Sequence, residues 1–177
     1  MARIDLMRDI KKVFNEHRKQ VDKAEIIALN RAGRSALAQT VMFIRKGFNI
    51  KASDLKDQIK ITRANKGKKV FTITVSDKAL SLMKYGTPNP TAKGVKVTVR
   101  KGNRELYPSS FIIKGEHLKR GETAIFKREG KSRTPIRKLW GPTAMDLFSS
   151  SKAEAFIDNI FQEKFQKELI AAMKYGK

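Results

Sequence analysis

Apolar and small residues in the first quarter of the chain recur at three- and four-residue steps. Ile4, Met7, Ile10, Phe14, His17 and Val21 form one stripe, and Ala24, Ile27, Ala28, Ala32, Ser35 and Ala36 continue it on smaller side chains. This spacing predicts helix over residues 4–46. Asn15 and Gly33 interrupt the pattern, so the expectation is one broken helix or two helices. The small residues allow close backbone approach, either beneath a sheet or against another subunit. Ser53-Asp54 then suits a short helical turn.

The period next shifts from helical to alternating. Ile59, Ile61 and Arg63 alternate with Lys60 and Thr62, and Val70, Phe71, Ile73 and Val75 follow the turn-forming Asn65-Lys66-Gly67. Two antiparallel strands are predicted. The run Leu80, Leu82, Met83 fits strand or helix, and residues 87–94, with two prolines and a glycine, read as a loop. Val95, Val97 and Val99 alternate with Lys96, Thr98 and Arg100 before Lys101-Gly102-Asn103 turns the chain into Leu106-Tyr107. That is the clearest hairpin, with Lys96 and Arg100 opposite the valines. Phe111-Ile112-Ile113 predicts a strand, residues 114–122 a polar loop, residues 123–128 another strand, and residues 143–148 a short helix. Ser151-Lys152-Ala153-Glu154 has the spacing of a capping box opening a final helix. The stripe Phe156, Ile157, Ile160, Phe161, Phe165, Leu169, Ala172, Met173 gives that helix a face expected to be buried.

These elements specify an α+β fold: a long N-terminal helix or helix pair, a central, mainly antiparallel sheet of about five to seven short strands, and a C-terminal amphipathic helix. Residues 1–177 are expected to form a single domain, with a helical part (1–46), a β-rich basic part (56–140) and C-terminal helices (143–175). In the segment 107–148, Pro135 suits the start or edge of a strand, because it has no N–H for a ladder. Gly141-Pro142 is expected to end any extended run. Phe111, Pro135, Ile136, Leu139, Trp140, Gly141 and Pro142 are therefore read as structural anchors, with Arg137 and Lys138 pointing outward.

Composition sharpens this picture through charge. The chain of 177 residues carries 39 Lys and Arg against 17 Asp and Glu, a net +22. Residues 93–138 hold 14 of the cations and 4 of the acids, whereas residues 139–177 hold 5 of each. A field so concentrated favours a polyanion, either nucleic acid or an acidic protein surface. A solvated basic face is the plain alternative. Lys96, Arg100, Arg120, Lys127, Arg128, Arg133, Arg137 and Lys138 are the candidate contacts. Forty per cent apolar residues supports a folded protein. There is no cysteine, so neither a disulfide nor a thiolate metal site is available. No apolar run reaches the roughly 18 residues needed to span a membrane, and the first residues lack a secretory apolar core. The expectation is a protein made in the cytoplasm, with no membrane contact.

Catalytic patterns fail on inspection. Gly130-Lys131-Ser132 ends like a phosphate-binding loop, but position 125, where that loop needs glycine, is Ile125. His17 and His117 are the only histidines, and neither has companions at ligand spacing. No serine is marked by a neighbouring base. We expect no enzyme, metal or cofactor. Trp140 admits stacking on a base, but Ile136 and Leu139 beside it favour a core anchor.

The segment Pro108-Ser109-Ser110-Phe111-Ile112, a basic hairpin, then Pro135-Ile136-Arg137-Lys138-Leu139-Trp140-Gly141-Pro142 resembles the prophage minor tail protein Z family of tailed bacteriophages. Ala28-Leu29-Asn30-Arg31-Ala32 and Ile61-Thr62-Arg63-Ala64 extend the likeness upstream. Ser109-Ser110 departs from it, Gly-Ala being expected there. The resemblance implies a structural protein that joins the tail late, at its head-proximal end, and engages the packaged DNA end. Its implied partners are other tail proteins, tube or terminator, and DNA. The rotational symmetry of a tail adds the expectation of a homo-oligomeric ring. A free nucleic-acid-binding protein without sequence specificity is the alternative.

Overall fold

Gly33, expected with Asn15 to interrupt the N-terminal helix, lies inside it. The computed structural model of the protein describes residues 6–115 and 122–175, with side chains from residue 15 onward. In it, α1 is a single uninterrupted helix, Leu6–Gly47. A Cβ at Gly33 would lie 2.3 Å from the Phe71 ring. The missing side chain is thus used for close approach, and the neighbouring ring occupies the space. The expected break or helix pair does not occur. Ile4 and the side chains of Met7, Ile10 and Phe14 lie outside the described residues.

The chain divides into two compact units. The first takes α1 up to Gln39, the segment Ile61–Ile73, and the last helix from Ala155. Its buried residues are small: Ala24, Ala28, Ala32 and Ala36 at four-residue spacing, with Leu37, Ala64 and Ala172. Asn30 is central to this unit. Its amide nitrogen donates to the Ala64 carbonyl and its oxygen accepts from the Ala64 N–H, both at 2.9 Å. The two stretches that carried the upstream resemblance are therefore joined by a pair of hydrogen bonds. Asn65 follows with a turn, its side-chain oxygen accepting from the N–H groups of Gly67 and Lys68. Lys69 pairs with both Asp22 and Glu25, and Arg31 with Glu168 at 3.5 Å. Phe161 and Phe165 stack one turn apart, 5.8 Å between ring centres. The stripe expected to be buried on this helix is only partly covered. Phe156, Ile157, Ile160, Phe161, Phe165 and Leu169 are half-buried, and Met173 is 60% exposed.

The second unit spans Thr40–Lys60 and Thr74–Glu154. It contains the short helix α2 (Ala52–Lys56) and most of the strands. In chain order the strands are β1 (Ile59–Thr62) and β2 (Thr72–Val75), which straddle the boundary between the units, and then β3 (Ala79–Ser81), β4 (Asn89–Thr91), β5 (Gly94–Val97), β6 (Glu105–Pro108), β7 (Ser110–Lys114), β8 (Thr123–Arg128), β9 (Ile136–Lys138) and β10 (Trp140–Thr143). Helices α3 (Ala144–Ser150) and α4 (Ala153–Tyr175) close the sequence. The fold is α+β, as expected, but the single central sheet is not. Among the described residues the strands form four small sheets: β1–β2, β3–β10, β4–β5–β6 and β7–β8–β9. Prolines 90, 108, 135 and 142 each remove a ladder donor from the strands or their borders.

Two expected irregular segments turn out to be strands. Asn89–Thr91, inside the predicted 87–94 loop, is the edge strand β4, where Pro90 costs no ladder bond on its outer side. Gly141-Pro142, expected to end the extended run, lies within β10 and pairs with β3 across an irregular register. Tyr85 explains this. Its ring is fully buried over Gly141, where a Cβ would fall 2.6 Å away, and its hydroxyl donates to the Pro142 carbonyl at 2.8 Å. Ile44, Leu55, Leu82, Val95, Val97, Ile125 and Leu147 are among the fully buried side chains of the unit. The capping box is also one helix earlier than the sequence suggested. Thr143 and Asp146 exchange reciprocal bonds at the start of α3 (2.8 and 3.0 Å), whereas the Ser151 hydroxyl donates back to the carbonyls of Leu147 and Phe148.

Candidate docking surface

Seven of the eight candidate cations lie in the second unit among described residues; Arg120 lies outside them. The structure sorts the seven by what each touches. Lys96 projects from β5, exposed, opposite Asn89 and Leu106. Arg100 is exposed with its guanidinium 5.4 Å from the centre of the Phe48 ring. The valines beside these two, Val95, Val97 and Val99, are all buried. The alternation read from the sequence therefore sets both cations outward.

The other five belong to β8, β9 and their connection. Lys127 and Arg137 are direct partners across the β8–β9 ladder. Partners on facing strands hold their Cβ atoms about 4.5–5.5 Å apart, and like charges so placed repel. The Arg137 side chain is 61% exposed, and its one ion-pair partner among the described residues is Glu129 at 3.7 Å. Arg128 points to the opposite face and covers the Phe111 ring at 5.3 Å. Arg133 sits exposed in the connection. Lys138 differs: it pairs with Glu122, lies 4.4 Å from the Trp140 ring centre and is only 19% exposed. Its charge is already matched, so its role is local. The connection adds Lys131, exposed like Arg133 and absent from the candidate contacts read from the sequence.

Burial along the anchor segment is uneven. Trp140 is 52% and Ile136 37% exposed, so neither is buried in the core. Strand β9 lies at the rim of its sheet and, among the described residues, β10 pairs only with the three-residue β3. Phe111 and Leu139 are half-buried, as are Gly141 and Pro142, and Pro135 is exposed immediately before β9.

Ser109 and Ser110, where the chain departs from the family pattern, account for themselves physically. Ser109 has φ 58°, the left-handed conformation that glycine adopts freely. Ser110 is buried; its hydroxyl donates to the Tyr107 carbonyl at 2.6 Å and accepts from the Val95 N–H at 3.0 Å. That hydroxyl bridges β7 to β5, joining two sheets that share no strand.

A cleft of about 510 Å³ is lined by Phe48, Val99, Arg100, Glu105, Tyr107 and Asp146. Burial, and then the Glu105 carboxylate, push the Tyr107 hydroxyl above its ordinary range, and it donates to Glu105 at 3.3 Å. Hydrogen bonds from Thr143 hold Asp146 below the usual carboxylate range. Both groups are committed to local structure. His17 is exposed on α1, and His117 lies outside the described residues. Among the described residues no three His, Asp or Glu side chains gather at metal-ligand distance, and no helix is long and apolar enough to cross a membrane.

Comparison with known proteins places the chain through one match. The family model described as prophage minor tail protein Z covers residues 6–176. No curated relative and no solved structure matches.

Proposed function

We propose that this chain, which belongs to the prophage minor tail protein Z family, is a structural tail-completion component that docks at the head-proximal end of the tail. It joins the tail tube or terminator late, assembles there as a homo-oligomeric ring, and presents its basic surface to the end of the packaged DNA. It catalyses no reaction in this role, and it is made in the host cytoplasm before joining the virion tail. The family match over residues 6–176 carries the reading. The net +22 and the outward cations of the second unit support an anionic partner. The alternative of a free nucleic-acid-binding protein draws no support from the comparisons.

The test uses purified full-length protein and tails assembled without it. Co-sedimentation with such tails, and higher-order species in light scattering when the two are mixed, are expected. Only monomers, with no protein in the tail pellet, would overturn the proposal.

A further inference from the structure

Residues 127–138 hold six cations and a single carboxylate, and the backbone folds them into an arm, the β8–β9 hairpin that forms one edge of the three-stranded β7–β8–β9 sheet. We infer that the β8–β9 arm grips the phosphate backbone of duplex nucleic acid without reading its sequence; this rests on the proposed role and names the element that meets the DNA.

The inference starts from the Lys127–Arg137 pair. Two like charges directly opposed on a ladder weaken the isolated protein. The placement becomes favourable when an anion lies over both, and the fork of Arg137 suits a phosphate. Glu129, 3.7 Å from Arg137, holds that place in part and acts as an internal competitor. Arg128 emerges on the other face of the sheet. At this sheet edge the cations of β9 and the connection reach a duplex backbone without a strand entering a groove, and phosphate contacts of that kind carry no sequence information. The connection supplies Lys131, Arg133 and the hydroxyls of Ser132 and Thr134, and hydroxyls, like cations, contact phosphate oxygens.

The same residues argue against other partners. The aromatic rings at the arm are engaged: Phe126 is buried, Arg128 covers Phe111, and the half-exposed Trp140 carries Lys138 over its ring, so single strands gain little stacking there. Residues 127–138 contain no Asn or Gln to read adenine. An acidic protein would meet two large exposed apolar side chains beside the charges, Ile136 and Trp140, the second already under Lys138.

The test is binding of a mixed-sequence duplex to the full chain over a salt series. Each phosphate contact contributes about 0.9 to the slope of log K against log salt. K127Q/R137Q is expected to reduce that slope by about two contacts and the affinity by tenfold or more at moderate salt, with an unfolding midpoint equal to or above the parent's. E129Q is expected to bind more tightly. K138Q is expected to lower the midpoint and leave the slope unchanged, because its charge is matched by Glu122.

Duplex binding that is absent, or unchanged in K127Q/R137Q, overturns the inference, as does a preference for single strands. Polyglutamate bound in place of duplex reassigns the arm to an acidic protein and also overturns it. Tail co-sedimentation of the same variants separates the two readings. K127Q/R137Q that joins tails but binds duplex as the parent does refutes the arm alone. Parent protein that binds duplex through the arm but never joins tails refutes the tail role alone.

Discussion

Replacing Asn30 tests how the two stretches of the first unit are held. Its side chain makes two 2.9 Å hydrogen bonds to the backbone of Ala64, a residue only 5% exposed. Alanine removes both and leaves a buried N–H and C=O without partners. Each lost bond costs about 0.5–1.5 kcal/mol, and an orphaned buried group about 1–3 kcal/mol. Asn30 is itself half-buried, so water satisfies part of the loss, and the expected sum for Asn30→Ala is about 2–4 kcal/mol. Asn30→Asp gives a sharper readout. A carboxylate still accepts from the Ala64 N–H but now faces the Ala64 carbonyl oxygen; a protonated carboxyl can donate to it. The folded state therefore favours the protonated form, which raises the folded pKa above the unfolded value. Stability of this variant is present at low pH and lost as pH rises through the folded pKa. Urea unfolding followed by circular dichroism, at neutral pH and near the free carboxyl value of about 4, measures both effects. A loss below about 0.5 kcal/mol for Asn30→Ala, or an Asn30→Asp variant with the pH profile of the parent, would refute the reasoning.

Three further predictions use the same measurement. Gly33→Ala places a methyl 2.3 Å from the Phe71 ring; the clash, about 1–3 kcal/mol, outweighs a helix-propensity gain of about 1 kcal/mol, and Phe71→Ala in the same chain is expected to remove the penalty, as a double-mutant cycle would record. Ser110→Ala is expected to cost about 1–3 kcal/mol because the buried Val95 N–H loses its acceptor, whereas Ser109→Gly, relieving φ 58°, is expected to stabilise by about 0.5 kcal/mol after glycine's own entropy cost. Asp146 has a depressed folded pKa, so its contribution is present above the unfolded carboxylate value and is lost as pH falls through the folded one; Asp146→Asn is expected to flatten that part of the stability profile, and Thr143→Ala to cost about 0.5–2 kcal/mol through the lost cap.

Local period was legible in the sequence, and tertiary neighbours were not. The valines of β5 announced their strand because one face is buried and the other is wet, a period-two signal contained in the segment itself. The reason for a glycine at position 33 lies in Phe71, distant in sequence, whose ring fills the space above it. Likewise Gly141-Pro142 reads as a stop until Tyr85 is placed over it. Strand β4 escaped notice because an edge tolerates Pro90, which composition alone assigns to a loop. The cations of β8 and β9 were identifiable as a group, but their division was not. Whether a lysine is matched, as Lys138 is by Glu122, or opposed, as Lys127 is by Arg137, depends on strand register. Asn30 carried one faint signal, an amide in mid-helix, where such a residue needs a partner beyond its own turn.

The alanine row of α1 leaves a problem of register that only its neighbours solve. Ala24, Ala28, Ala32 and Ala36 present nearly the same surface every four residues, about 6 Å along the axis. A segment packed on such a row meets almost identical contours after sliding one step. Gly33 beneath Phe71 and Asn30 clasping Ala64 occur once each and end that ambiguity, as a keyway does on a plain shaft. Loss of both would free the row to settle one notch away, still folded and wrongly aligned.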